Sequence, residues 1–471
     1  GQPIPARVHL KDSENKPHRP ERWPFWRDHF VCDGKVELTL ANGTYRYEVE
    51  RGPEYTAVTN SFAVQDGQSP KISVTLQRLA DLAREGWWSG EMHVHRAPDE
   101  VEMLMRAEDL HVAQVITWWN KQNRWTNQRL PANPQVRFDN DRFYDLMAGE
   151  DERDGGALLF FGLAKPHAIT SGERFYPHSL QFAREIRQTQ AVWVDIEKPF
   201  WWDFPAWVAA GVADSVGIAN NHMYRTGVYE SEAWGRPRDT NRFPAPLGNG
   251  QWTQEIYYHL LNCGVRLPPS AGSASGVLPN PVGYDRVYVH VDGDLTWTKW
   301  WDGLRAGRVF VSNGPLLRCR AEGQLPGQVF KAAEGKPLVI QLTGALSGRD
   351  PVKAVEIVRN GTVLRSVSVS PDGKSHALGQ VMLDGPGWFL IRAIADQPRT
   401  FRFASTGPFY VEGPNETRRI SRASAQFFVD WVHERMAKLQ APTAAQREEV
   451  LQEWRRAEKF WQDKLAKANA E

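Results

Sequence analysis

His93 and His95 close the run Gly86-Trp87-Trp88-Ser89-Gly90-Glu91-Met92-His93-Val94-His95. On a strand, side chains alternate between faces, so both imidazoles leave one side while Met92 and Val94 leave the other. Two neutral imidazoles on one rigid face suit a shared divalent cation. His-x-His alone is a weak signal. Here an apolar run precedes it, and Pro98-Asp99-Glu100 follows as a helix start with carboxylates at the positive end of the dipole.

Further chemistry-bearing groups stand after later apolar runs. Thr117-Trp118-Trp119-Asn120 ends one of them. Gly149-Glu150-Asp151-Glu152-Arg153-Asp154 reads as an acidic turn able to supply one carboxylate ligand. In Asp195-Ile196-Glu197-Lys198-Pro199-Phe200-Trp201-Trp202-Asp203, alternation puts Asp195 and Glu197 on one face with Lys198 beside them. That lysine suits an anionic substrate, a proton transfer or a structural ion pair. Asn220-Asn221-His222-Met223-Tyr224-Arg225 packs two amides, an imidazole and a guanidinium at one strand end. Leu267-Pro268-Pro269-Ser270-Ala271-Gly272-Ser273-Ala274-Ser275-Gly276 carries no strong ligand, but its lack of bulk lets a substrate or backbone come close.

These groups need elements to hold them. Residues 79–318 alternate apolar runs with helical patterns, which argues for parallel βα units. The runs are 112–117, 157–163, 191–196 and 215–219, and Val101, Leu104 and Met105 give the first helix a buried face. Strand C-terminal ends are where such folds place their sites. Residues 1–78 read as a small β-sandwich: Lys35–Leu40 alternates, Asn42-Gly43 turns, Tyr45–Val49 alternates back, and Lys71–Leu76 adds a strand. Residues 319–412 read as a second sandwich, with a hairpin turning at Asn360-Gly361. Residues 413–471 form a helical tail, with a capping box at Thr443 and Gln446. The stripe Val450, Trp454, Ala457, Trp461 and Leu465 is a face for docking on the body.

Composition narrows the classes. At 471 residues the chain needs about three units. A net charge of +1 gives no reason to expect nucleic acid or an anionic membrane as partner, and no run approaches a membrane span. The start at Gly1-Gln2-Pro3 has no hydrophobic leader, so a signal peptide is either already removed or never present; we expect a secreted or periplasmic protein. Three cysteines are too few for a disulfide framework. The 20 tryptophans, many in pairs beside polar motifs, suggest stacking surface in a pocket.

These motifs, in this order, resemble the polymerase-and-histidinol-phosphatase (PHP) superfamily, in particular its CehA/McbA-like metallohydrolases. The resemblance covers residues 87–95, 111–120, 147–163, 193–203, 215–225, 266–289 and 303–316. It implies an α/β fold: a distorted (β/α)7 barrel, here flanked by N- and C-terminal β-sandwich domains with a C-terminal helical tail. Its strand ends would hold one to three divalent ions and hydrolyse phosphoesters, esters or carbamates. His93 and His95 fit the opening ligands, one of Glu150, Asp151 and Glu152 (Glu150 preferred) fits the bridging glutamate, and His222 lies near a later ligand histidine. Three departures reduce the ligand set. Trp119 replaces a histidine, Lys198-Pro199 replaces His-Pro, and Gly272-Ser273-Ala274-Ser275-Gly276 replaces Gly-Ser-Asp-x-His.

The resulting expectation is a metallohydrolase using at most one ion, Zn2+ or another first-row divalent metal, held by His93, His95, Glu150 and His222. Asp195 or Glu197 would take a proton from water, and Lys198 or Arg225 would stabilise an oxyanion. Trp118, Trp119, Asn120, Trp201, Trp202, Asn220 and Asn221 would bind a polyhydroxylated, carbohydrate-like small molecule or glycan, in which an ester-, phosphoester- or glycan-type bond is cleaved. The rivals are a non-catalytic barrel that binds glycan or a protein partner, and a metal-independent carbohydrate-active enzyme working through Lys198.

Overall fold

The computed structural model describes residues 2–169 and 173–471. The first 64 residues build one antiparallel sheet of five strands, in the order Phe25–Trp26, His29–Cys32, Ala6–Lys11, Gly43–Glu50, Val58–Val64. The hairpin expected at Asn42-Gly43 does not form. Gly43–Glu50 pairs with Ala6–Lys11 on one side and Val58–Val64 on the other, so both its edges are taken. Residues 35–40 and 71–76, expected as strands, join no ladder. Their Leu38, Leu40 and Val74 still pack on the cluster around Tyr45, Tyr47 and Phe30. Extended cover replaces the second sheet of the expected sandwich.

The middle of the chain is a mixed sheet with helices packed on it. Trp87–Val94, Val112–Trp119 and Arg142–Arg153 run parallel, as do Trp193–Ile196, Ser215–Asn220 and Pro269–Gly272. Between these triplets Gly156–Phe161 is antiparallel to both neighbours. The expected βα alternation fails at this tight hairpin, and again between Val112–Trp119 and Arg142–Arg153, which no helix separates. The acidic stretch 149–154, expected as a turn, is instead the end of the long strand Arg142–Arg153, and the chain reverses at Asp154-Gly155. The far end of the sheet returns to its start: Ser275 bridges Val94, and its carbonyl accepts from the His95 amide at 2.8 Å. Helix Val101–Glu108 buries Val101, Leu104 and Met105, as its spacing predicts.

Toward the C-terminus, Leu316–Ala321, Leu338–Ser347 and Asp372–Leu383 form a three-stranded antiparallel sheet. It shares one apolar cluster with Val352–Arg359, Gly387–Ala395 and Phe409–Glu412. Asn360 and Gly361 turn the expected hairpin at φ +50° and +91°, the left-handed conformations a two-residue reversal requires. Phe403–Thr406 also pairs with Val309–Ser312, so this region is hydrogen-bonded into the middle sheet. The tail is two helices, Arg422–Lys438 and Ala444–Ala466, and the Thr443 hydroxyl caps the second by accepting from Gln446 N. Val450, Trp454, Ala457 and Trp461 are buried; Trp461 stacks on Phe428 at 4.2 Å and donates to Pro205 O. Seven α-helices are present among the described residues, and none is long and apolar enough to cross a membrane.

Candidate metal centre and its cavity

The strand Trp87–Val94 ends one residue short of His95, and the Ser275 bridge holds His95 in line with it. Period-2 alternation then aims both imidazoles at one point. Their Nε2 atoms are 2.9 Å apart, and Glu150 Oε2 lies 3.3 Å from the first and 3.1 Å from the second. Three donor atoms thus form a nearly equilateral triangle. Ligands about 2.0–2.1 Å from a tetrahedral ion sit roughly 3.3 Å from one another, so this triangle fits three of four positions around such an ion. The same alternation turns Glu150 toward the imidazoles and Asp151 the other way, to pair with Arg153 at 2.8 Å.

Small residues make room for the ligand strand itself. A β-carbon on Gly272 would lie 2.5 Å from His93 Cβ. One on Gly276, at φ +105°, would lie 2.6 Å from His95 O. The low bulk of 272–276 therefore admits backbone, as one half of the expectation had it.

Electrostatics follow from burial and from two carboxylates. Burial alone would lower His93, but Glu150 and Glu197 outweigh it and raise the imidazole to about 10. Burial would raise Glu150, yet the two histidines bring it down to about 2. His95 is lowered, burial prevailing over the pull of Glu150. Glu152, one strand repeat beyond Glu150, is pushed up to about 8 by burial and by the charges of Glu150 and Glu197.

Glu197 lies behind the triangle. Its Oε1 is 3.2 Å from His93 Nδ1. It also pairs with Lys198 and accepts from Trp201 Nε1 at 3.1 Å and Asn221 Nδ2 at 2.8 Å. Lys198 is buried, with its ammonium 4.5 Å over the Trp201 ring. Asp195 is committed elsewhere, its Oδ1 accepting from the hydroxyls of Ser215 and Ser270; burial pushes it up to about 7 despite them. Neither acid is free to face a water.

The remaining expected site residues divide. Trp119 tilts over His95 at 5.2 Å and lines a cavity of about 400 Å³ with Asn120, Lys121, Glu152, Arg174 and Trp234. Asn120 uses both ends of its amide on the Glu152 backbone, at 2.8 and 3.0 Å. Trp201 belongs to the site through Glu197 and stacks on Trp234 at 6.4 Å. Trp118 instead packs in the core on Phe160, and Trp202 packs on Trp431 of the tail. His222 lies outside the triangle, among Phe200, Trp201 and Tyr229, and burial lowers it to about 3. Asn220 turns onto its own strand, accepting from His222 N at 3.2 Å. Arg225 pairs with Glu48 at 2.5 Å and Glu50 at 3.3 Å of the N-terminal sheet, so its charge goes to a domain contact.

Trp234, Lys121 and Arg174 were not expected. All three lie in turns, where no periodicity marks them. On the cavity wall, Trp119 Nε1 is buried without a hydrogen-bond partner. Unpaired groups of this kind are costly unless water or a ligand meets them. Comparison with known protein families, curated proteins and solved structures returns no match.

Proposed function

We propose that this chain is a metal-dependent hydrolase, a divergent PHP-like barrel of the CehA/McbA kind, acting on a small polyhydroxylated or flat substrate. The observation that carries this reading is the His93–His95–Glu150 triangle beside a cavity of about 400 Å³. Two imidazoles and one carboxylate with a side left open suit Zn2+ or another first-row divalent ion. Such an ion supplies Lewis acidity and makes water a nucleophile at neutral pH.

The chain's own residues do the rest. Glu197 orients the His93 ring through Nδ1, the usual task of a carboxylate behind a ligand histidine. Lys198 keeps Glu197 charged and in place. Glu152, on the cavity wall, is the carboxyl positioned to carry a proton at its Oε atoms, a role first expected of Asp195 or Glu197. Trp119 and Trp234 offer flat walls to a sugar or aromatic group. Lys121 and Arg174 add cationic donors at the rim, which favours an ester, phosphoester or similar polar bond.

A panel of aryl esters, aryl phosphoesters and aryl glycosides tests this, assayed before chelation, after it, and after Zn2+ or Mn2+ is returned. The reading expects loss of turnover on chelation and recovery with metal. Turnover indifferent to chelation would favour the lysine-based rival, and no turnover at all the binding-only one.

A further inference from the structure

A second group of metal-type donors lies on the N-terminal sheet, remote in sequence from the triangle. The ladder pairs Val8 with Phe30, and one step further His9 stands opposite His29, a cross-strand pair with ring centroids 5.2 Å apart. Asp28, just before His29, reaches between them. Its Oδ1 is 3.0 Å from His29 Nδ1 and its Oδ2 is 3.2 Å from His9 Nδ1. Three donors from three side chains lie within 4.8 Å of one another.

The second observation is His9 itself. It is 5% exposed, yet neither of its ring nitrogens has a hydrogen-bond partner. This imidazole meets carboxylates only, Asp28 Oδ2 at 3.2 Å and Glu50 Oε2 at 3.7 Å, neither in line for a hydrogen bond. It is well explained as a ligand whose lone pair points at a common centre. On the other edge of the ring, Nε2 faces Glu50 Oε2 at 3.7 Å, the place an orienting carboxylate takes behind a ligand histidine. Asp28 is 35% exposed, which leaves an approach from solvent and room for water ligands. Lys11 approaches Asp28 only to 3.9 Å.

We propose that His9, Asp28 and His29 form a second divalent-cation site, structural in role, on the face of the N-terminal sheet that meets the middle of the chain. Glu50 ties it to that junction, because the same carboxylate pairs with Arg7, Arg225 and Arg349. An ion held here fixes His9 and, through Glu50, braces the arginine cluster joining the three regions. This inference stands apart from the hydrolase reading and survives its failure.

The test uses Co2+ alone as probe on the full chain carrying His93→Ala and His95→Ala, which removes the first site. The expected result is one Co2+ per chain, with visible absorption bands and a raised midpoint of thermal unfolding. Adding Asp28→Asn, which keeps the side chain's shape, or His29→Ala should weaken that binding at least about 100-fold, the upper end of what even an outer partner costs. No Co2+ bound by the His93→Ala/His95→Ala chain would overturn the proposal. Binding that persists unchanged through Asp28→Asn would overturn it equally, and that variant decides the matter even where His29→Ala does not fold.

Discussion

Glu197 Oε1 lies 3.2 Å from Nδ1 of His93, on the opposite edge of the ring from Glu150. One imidazole is thus shared by two carboxylates with separate tasks. The inner edge, Nε2, joins the triangle with His95 and Glu150. The outer edge, Nδ1, meets a carboxylate that favours its proton and frees the Nε2 lone pair for a cation.

Glu197→Gln should therefore weaken metal binding by about 10–100-fold while leaving all three ligands in place. The substitution also strands the buried Lys198, a loss on the order of 3–5 kcal/mol when one partner of a buried pair is removed. The double variant Glu197→Gln/Lys198→Met relieves that second effect. Metal titration should show both variants weakened, and thermal unfolding should show only the single one strongly destabilised. Unaltered affinity in both would remove Glu197 from the site.

Gly272→Ala touches no ligand and should still damage the site. Its β-carbon would come within 2.5 Å of His93 Cβ, which must move with its strand. A loss of metal affinity comparable to that of Glu197→Gln is expected. A Gly272→Ala protein that binds metal as the wild type does would show that the strand can yield.

The tryptophan pair at 118 and 119 should separate stability from binding. Trp118→Ala empties a core position and should cost about 3–5 kcal/mol of stability with little change in KM. Trp119→Ala, half-buried on the cavity wall, should cost less stability and raise KM for any hydrolysed substrate. Equal effects on both measures at both positions would contradict the assignment of one ring to the core and the other to the cavity.

Alternation explains how much of this was legible. His93 and His95 converge because a period of two needs only the local strand, and the tail docks as its helical stripe predicts. The acid Glu150 could be named but not its element, because the dense charge of 149–154 reads as a turn and disguised a strand. Trp118 and Trp119 looked equivalent as a pair, although one strand cannot send neighbours to the same face. Arg225 looked like a site residue because its partners, Glu48 and Glu50, lie about 175 positions away, and no local pattern announces a contact between regions. Trp234 was missed for the same reason.

Stability should carry the signature of Asp195, which burial holds at about 7 against an ordinary value near 3.8. Between roughly pH 4 and 7 the folded chain keeps a proton that the unfolded chain has released, so stability from this group is lost as pH rises through that window. Asp195→Asn cannot titrate. Its unfolding free energy relative to wild type should climb by a few kcal/mol from pH 4.5 to 7.5, at about 1.4 kcal/mol per unit of separation. A difference that stays flat across the window would contradict the buried, protonated Asp195.

The central claim is that His93, His95 and Glu150 hold one divalent ion. The most direct measurement is elemental analysis of the full chain purified without chelator, beside the His93→Ala chain prepared identically. The account predicts that wild type carries one more equivalent of a divalent first-row metal per chain than the variant, whatever the N-terminal site contributes to both. Equal metal content in the two proteins would contradict it.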